Sequence, residues 1–175
     1  METSEIFYCM QQDEMIRKCL RGVYPCNRLP EDDGMCVANE DPAGEPGSHW
    51  VFVWRNARKT VYFDSFARAP IGCIRLYGLN RYGEIQVNSR RVQSDASSTC
   101  GNHCIFVAFH LARGLDIREI ENNIYTEDAI VNDRMVFDFV NERFNIETNL
   151  VDFSTIYPQI SVPWKPDSFT DRQRW

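Results

Sequence analysis

Histidine is scarce in this chain: three occur in 175 residues, at positions 49, 103 and 110. Any chemistry that needs an imidazole must use one of them. No apolar run approaches the length that spans a membrane, and the start, Met1-Glu-Thr-Ser-Glu, lacks the basic and apolar regions of a secretory leader. Those two absences predict an intracellular protein, in the cytosol or a nucleus. Seven cysteines are present, at 9, 19, 26, 36, 73, 100 and 104, yet no two form a Cys-x-x-Cys pair. That argues against a structural zinc site, and in a reducing compartment it predicts free thiols instead of a disulfide framework. Repeats and linker-like runs are also missing, so residues 1–175 read as one domain, long enough to enclose a core.

What is present is globular in character, with 43% hydrophobic and 13% aromatic residues. The formal net charge of −6 is unevenly spread. Between Arg55 and Arg91, eight basic residues stand against Asp64 and Glu84, leaving that segment at +6 and the remainder at −12. Such asymmetry suits contact with a polyanion, although solvated arginines scattered over several faces account for it at least as well.

The stretch from Gln93 to Ala112 is the most informative. A polar loop, Ser94 to Thr99, runs into Cys100-Gly101 and then into a dozen residues that are apolar on almost every side. Such a segment predicts a buried helix with Cys100 at its N-terminus and Ser97, Ser98 and Thr99 as capping candidates. A thiol at that place feels the positive end of the helix dipole and is favoured as thiolate. A small buried hydrophobe is the competing reading.

Around this stretch the pattern predicts a helix over residues 11–21, ended by Gly22 and Pro25, and a short strand from Met35 to Ala38. Residues 26–34 read as turns, and 39–48 as loop. His49–Trp54 and Lys59–Asp64, aromatic and β-branched, predict a hairpin. With a two-residue loop at Asn56-Ala57, cross-strand numbers sum to 113, and His49 faces Asp64 with Cβ atoms about 4.5–5.5 Å apart. Residues 65–83 look irregular, with a helical turn or strand at Ile71–Leu79, and 84–93 look extended. Short and long helices are predicted over 116–122 and from Thr126 to about Phe144, the latter burying Ile130, Met135, Phe137, Val140 and Phe144. The tail from Val151, with Tyr157-Pro158, Pro163-Trp164 and Pro166, reads as extended surface segments.

A nucleophilic cysteine needs a base, and the base an orienting acid. His103 and His110 share the helix with Cys100, but no acid is evident near them, and a partly buried helix histidine is the simpler reading. His49 has Asp64 beside it. The candidate triad is therefore Cys100 as nucleophile, His49 as base and acid, and Asp64 as orienter. Gln93 and the Cys100 N–H are the candidate oxyanion donors. A metal site built on Cys100, His103 and Cys104 is the weaker reading, and none is expected.

His-Trp at 49–50, the acid of Tyr-Phe-Asp at 62–64, Gln93 and Cys100-Gly101, in that order, resemble the adenovirus protease (adenain) family. That family shares a clan with the SUMO- and ubiquitin-like-protein proteases. The resemblance covers roughly residues 30–115. It implies an α+β, papain-like fold in which a central helix bearing the cysteine packs on a mixed sheet with flanking helices. The implied activity is endopeptidase cleavage of viral or virus-like precursor proteins at glycine-containing sites during particle maturation, in the host nucleus, the cytosol or the particle itself. Trp50 and Gly101 are the implied substrate-binding residues; Trp50 as a core aromatic of the sheet is equally compatible. Asp64 stands where adenoviral enzymes usually carry Glu. In the family an activating viral peptide attaches to a cysteine shortly before the glutamine, and DNA adds stimulation. Here Tyr82 occupies that region and the nearest upstream cysteine is Cys73, so covalent activation does not carry over. Only the Arg55–Arg91 segment offers a surface for nucleic acid. No cofactor is required by the residues. An isopeptidase for ubiquitin-like proteins, an acyltransferase, or an inactive interaction module on the same scaffold are the rival readings.

Overall fold

The structure is a computed structural model describing residues 1–82 and 85–146. In chain order it forms α1 (Thr3–Gln12), α2 (Glu14–Arg17), β1 (Leu20–Pro25), a 3-10 turn (Cys26–Arg28), β2 (Gly34–Asn39), β3 (Trp50–Arg55) and β4 (Thr60–Phe63). Then follow α3 (Gly72–Tyr82), β5 (Ile85–Val87), α4 (Cys100–Ala112), α5 (Ile117–Asn123) and α6 (Ala129–Phe144). The strands make one mixed sheet in the order β1-β2-β3-β4-β5. Its inner pairs are antiparallel and its two outer pairs parallel. This is the expected α+β architecture.

Strand side chains alternate between faces, and here both faces are covered. Met35, Val37, Phe52, Val61 and Phe63 join the core under α4, while Cys36, Ala38, Val51, Val53 and Tyr62 pack with Ile74 of α3 on the other side. Helix α4 is buried at every position from Cys100 to Leu111 except Phe109. It lies between the sheet and α1, α2, α5 and α6. A helix apolar nearly all round can only be satisfied in such an enclosed place. Each large apolar side chain so buried contributes about 1.5–3 kcal/mol, and the result is a rigid seat for the residue at the helix start.

Several expectations need correction. The helix expected over 11–21 is two helices and the start of a strand. Asp13, at φ −87° and ψ 122°, leaves the helical region and accepts from the N–H groups of Met15 and Ile16, so it ends α1 and caps α2. Its carboxylate also takes Arg113 and Arg143, pinning this break to α4 and α6. Gly22 and Pro25 do not stop a helix but lie in β1, which is an edge strand, where both are tolerated. Residues 72–82 form a full helix, and Ile85–Val87 of the extended segment forms strand β5. Helix α6 buries Asn132, Asp133, Val136, Phe139, Val140 and Phe144; Ile130, Met135 and Phe137 are only half-buried. The expected surface segments from Val151 lie outside the described residues.

The hairpin register is also different. Phe52 pairs with Phe63 and Arg55 with Thr60, so partners sum to 115 and the loop is four residues long. Asn56 holds that loop, its Oδ1 accepting from the N–H groups of Arg58 and Lys59. A slip of two keeps every side chain on its expected face, whereas a slip of one would have reversed them.

Gly34, at φ +151°, begins β2 where a Cβ would lie 2.5 Å from the Cys19 carbonyl oxygen, the acceptor of the Met35 N–H. Backbone cannot yield there without breaking that bond. Gly34→Ala is expected to lower unfolding free energy by about 1 kcal/mol or more, measured by urea denaturation; an unchanged midpoint would refute the steric account.

Candidate active site

His49 sits immediately before β3 and Asp64 immediately after β4, so the hairpin brings both to its open end. The His49 Nε2 lies 2.8 Å from Asp64 Oδ1, a diagonal contact that the shifted register still permits. Asp64 is fully buried and His49 nearly so. The carboxylate also accepts from the Phe66 N–H on Oδ1 (2.9 Å) and from the Arg68 guanidinium on Oδ2 (2.9 Å). Asn88 fixes the backbone at the same place, accepting from the Asp64 N–H and donating to its carbonyl oxygen. Burial alone would raise the Asp64 carboxyl, but these donors, His49 foremost, outweigh it and hold it below the usual carboxylate range.

Nε2 is committed to Asp64, and Cys100 is the second group that acts on the His49 ring. Burial pulls the imidazole down; the bonds to Asp64 and then Cys100 reverse that and push it up to about 9. For the thiol, burial pushes up, and it is overcome by the His49 bond and by the backbone N–H groups of Trp50 and Gly101, so Cys100 lies below its ordinary value. The two therefore titrate as a thiolate–imidazolium pair. Cys104, one turn along and wholly buried without such partners, is pushed well above its ordinary range. Sulfur position, not helix membership, separates them.

Thr99 stands at the N-cap of α4 but makes no side-chain cap; its hydroxyl donates to Asp133 instead (2.8 Å). Ser97, another capping candidate, turns its hydroxyl to Gln93 and Thr99. The first-turn N–H groups are left to other acceptors, which is where a developing oxyanion would be held. Gln93 is buried, accepts from Ser65 Oγ (2.5 Å), and donates through Nε2 to the carbonyl and hydroxyl oxygens of Ser97 (3.0 and 3.2 Å). Its backbone N–H goes to the Ser65 carbonyl, so the residue after the candidate acid anchors the candidate oxyanion donor.

Trp50 is half-buried, its Nε1 donating to the Met1 carbonyl (3.1 Å). Beside it opens a cleft of about 350 Å³ walled by Met1, Tyr24, Asn39, Asp41 and Glu45. Gly101 is packed against α1: a Cβ would come within 3.1 Å of Ile6 and 3.2 Å of Met1 side-chain atoms. Its evident contribution is close packing and an N–H aimed at the sulfur.

Sequence reasoning missed five neighbours. Phe66 covers the imidazole with ring centroids 5.1 Å apart, and the Arg68 and Arg91 guanidinium groups lie over it. Arg68 and Asn88 secure Asp64. Asp133 supplies the acid that seemed lacking near His103, whose Nε2 it meets at 2.9 Å. The other His103 nitrogen contacts Tyr125 Oη, so both are occupied within the core. His110 packs against Phe106, Phe109 and Phe139 and is drawn down to about 4 by burial, then by Arg113.

The basic segment is distributed among partners. Arg55 meets Asp33, Arg68 meets Asp64 and Glu40, Arg90 meets Glu127, and Arg91 meets Asp95.

No family model matches the chain, and no curated protein matches it in sequence. Solved structures do resemble it. One is the ASFV pS273R protease, with a TM-score of 0.42 and 20% identity over 64% of this chain and 44% of that one. Another is ChlaDub1 from Chlamydia trachomatis, with a TM-score of 0.43 and 13% identity over 83% of this chain and 80% of that one. The chain thus spans less than half the length of the pS273R chain. Site chemistry, not these likenesses, carries the functional reading.

The ion pair has a defined pH window. As pH falls through the lowered Cys100 value the thiolate takes a proton; as it rises through about 9 the imidazolium loses one. Alkylation of Cys100 by iodoacetamide at neutral pH is expected to outpace that of Cys73. Asp64→Asn removes the largest influence raising His49, so the upper edge, read by the NMR chemical shifts of the His49 ring, is expected to move down from about 9 toward the ordinary imidazole value of 6.5. An unmoved edge would show that Asp64 does not support the pair.

Proposed function

We propose that this chain is a cysteine endopeptidase. The observation that carries the reading is the convergence of a fully buried carboxylate, an imidazole and a thiol from three segments, with the thiol held low and the imidazole high. An inert structural cysteine shows the opposite shift, as Cys104 does.

In the proposed reaction, Cys100 thiolate adds to the scissile carbonyl carbon, and the carbonyl oxygen takes up the negative charge. The Cys100 N–H and the Gln93 amide donate to that oxygen; Gln93 does so by releasing one of its two bonds to Ser97. His49 imidazolium then protonates the leaving amine as the C–N bond breaks, leaving a thioester. Neutral His49 takes a proton from water, which attacks the thioester and frees the carboxylic acid and the thiolate. Asp64 remains ionised throughout, orienting the ring and stabilising its charged form.

The cleft walled in part by Trp50, the residue after His49, is a candidate place for a polypeptide substrate. The resemblance in the His-Trp, Asp, Gln and Cys-Gly motifs extends the proposal to precursor proteins of viral or virus-like particles, cut at glycine-containing sites.

Glycine-containing fluorogenic peptide libraries, with and without DNA, test this. Cys100→Ala is expected to lower hydrolysis by about a thousandfold or more while leaving the melting temperature near that of the wild type. Full hydrolysis by Cys100→Ala would end the assignment, and a wild-type Cys100 no more reactive than Cys73 would point to an inactive module.

A further inference from the structure

A second fully buried carboxylate besides Asp64 is Asp133, in the second turn of α6. It is fully buried and accepts four hydrogen bonds. Oδ2 takes the Ser94 N–H (3.1 Å) and the Ser94 hydroxyl (2.6 Å). Oδ1 takes the Thr99 hydroxyl (2.8 Å) and the His103 Nε2–H (2.9 Å). Ser94 directly follows Gln93, and Thr99 directly precedes Cys100. One side chain from a distant helix therefore grips both ends of the loop that joins the candidate oxyanion donor to the candidate nucleophile.

A carboxylate only accepts, and that fixes the sense of the bonds behind it. Thr99 gives its proton to Asp133, so in its 2.9 Å contact with Ser97 it must accept. Ser97 Oγ, having donated to Thr99, accepts from Gln93 Nε2 (3.2 Å). The chain runs one way, from Gln93 through Ser97 and Thr99 to Asp133. At the other end of the Gln93 amide, Ser65 Oγ donates to Oε1. The amide is thereby prevented from turning over. Its N–H₂ faces the loop preceding Cys100, where the Ser97 carbonyl oxygen also accepts from it (3.0 Å).

We propose that Asp133 is a positioning residue for the hydrolysis, clamping loop 93–99 at both ends and setting which way the Gln93 amide points. It touches neither substrate nor sulfur. His103 belongs to the same device: drawn below its ordinary value by burial, it stays neutral, so its Nε2–H goes to Asp133 and its Nδ1 accepts from Tyr125. The clamp rests on the peptidase reading for its consequence but not for its existence.

Asp133→Asn puts an N–H₂ where a carboxylate oxygen was, confronting either the Ser94 or the Thr99 and His103 donors and removing the fixed sense of the chain. Thr99→Val removes one arm at nearly constant volume, and Thr99→Ser restores the hydroxyl. Amide hydrogen exchange over residues 94–99 reads the clamp without any substrate. Both Asp133→Asn and Thr99→Val are expected to raise exchange there about tenfold and to lower kcat about tenfold or more, the scale of a small misplacement. Changes in KM and in Cys100 alkylation should stay within about twofold, because the His49–Asp64 pair is untouched. Thr99→Ser should recover most of the loss. Wild-type exchange and kcat in Asp133→Asn and Thr99→Val would overturn the proposal, and so would a loss of alkylation and melting temperature parallel to kcat. Absence of hydrolysis by the wild-type chain would instead defeat the peptidase reading, and loop exchange would still decide the clamp.

Discussion

A charged carboxylate with no access to water is the constraint on which this site is built. Asp64 is fully buried, and an unpaired charge in that position would neutralise itself by taking a proton. It stays ionised because an imidazole, a backbone N–H and a guanidinium all donate to it. Each donor comes with structural demands. His49 requires the hairpin, Phe66 a tight turn just after β4, and Arg68 an ion pair shared with Glu40. Once the carboxylate is charged, His49 is held charged, and Cys100 becomes thiolate in turn. Removing one partner of such a buried pair typically costs about 3–5 kcal/mol, so fold and reactivity are bound to the same bonds.

The protein contains two buried His–Asp pairs with almost identical contact distances, 2.8 and 2.9 Å, and it uses them oppositely. In the first, a second anionic neighbour, Cys100, joins Asp64 in favouring imidazolium, and together they overcome burial. In the second, His103 is wholly enclosed, burial is the largest influence, and the ring stays below its ordinary value despite Asp133. Similar groups with divergent environments are how one scaffold obtains a titrating pair and a fixed one. The first moves protons in the proposed reaction; the second holds geometry. Tyr125, stacked on Phe63, tilted against Phe106 and bonded to His103, covers the second pair.

How much of this was legible depends on whether the signal was local. The cysteine at the head of an apolar helix, the aromatic hairpin and the order His49, Asp64, Gln93, Cys100 are all written in short stretches. The wrong hairpin loop left the His49–Asp64 contact intact because a two-residue slip preserves side-chain parity. In α1, Ile6, Cys9 and Met10 already stood at helical spacing, but attention to Met15–Leu20 carried a helix across the break that Asp13 makes. Strand β1 was hidden by Gly22 and Pro25, which mark a stop unless the strand lies at an edge. Asp133 was the least legible. An acid near the start of an amphipathic helix ordinarily faces solvent, and only the fold places Ser94, Thr99 and His103 around it. Hydrophobic periodicity placed Val140 and Phe144 correctly in α6 but chose Ile130, Met135 and Phe137 ahead of the buried Asn132 and Asp133.

Charge illustrates the same gap between composition and structure. The Arg55–Arg91 segment has the look of a polyanion site, yet Arg55, Arg68, Arg90 and Arg91 are each bonded to an acid on another part of the chain or nearby. Arg90 also donates to the carbonyl oxygens of Glu121, Tyr125 and Thr126, while the Glu121 carboxylate accepts from the N–H groups of Ser89 and Arg90. These bonds tie the segment after β5 to α5, and through it Asn88 and Gln93 are held at the correct distance from Asp64. A phosphate backbone would have to compete with these internal acceptors, and any arginine it captured from Asp64 would unload the carboxylate that charges His49. Arg68, bonded to Asp64 and Glu40, and Arg91, bonded to Asp95, are therefore better understood as counter-ions of this chain's own acids than as a surface reserved for nucleic acid.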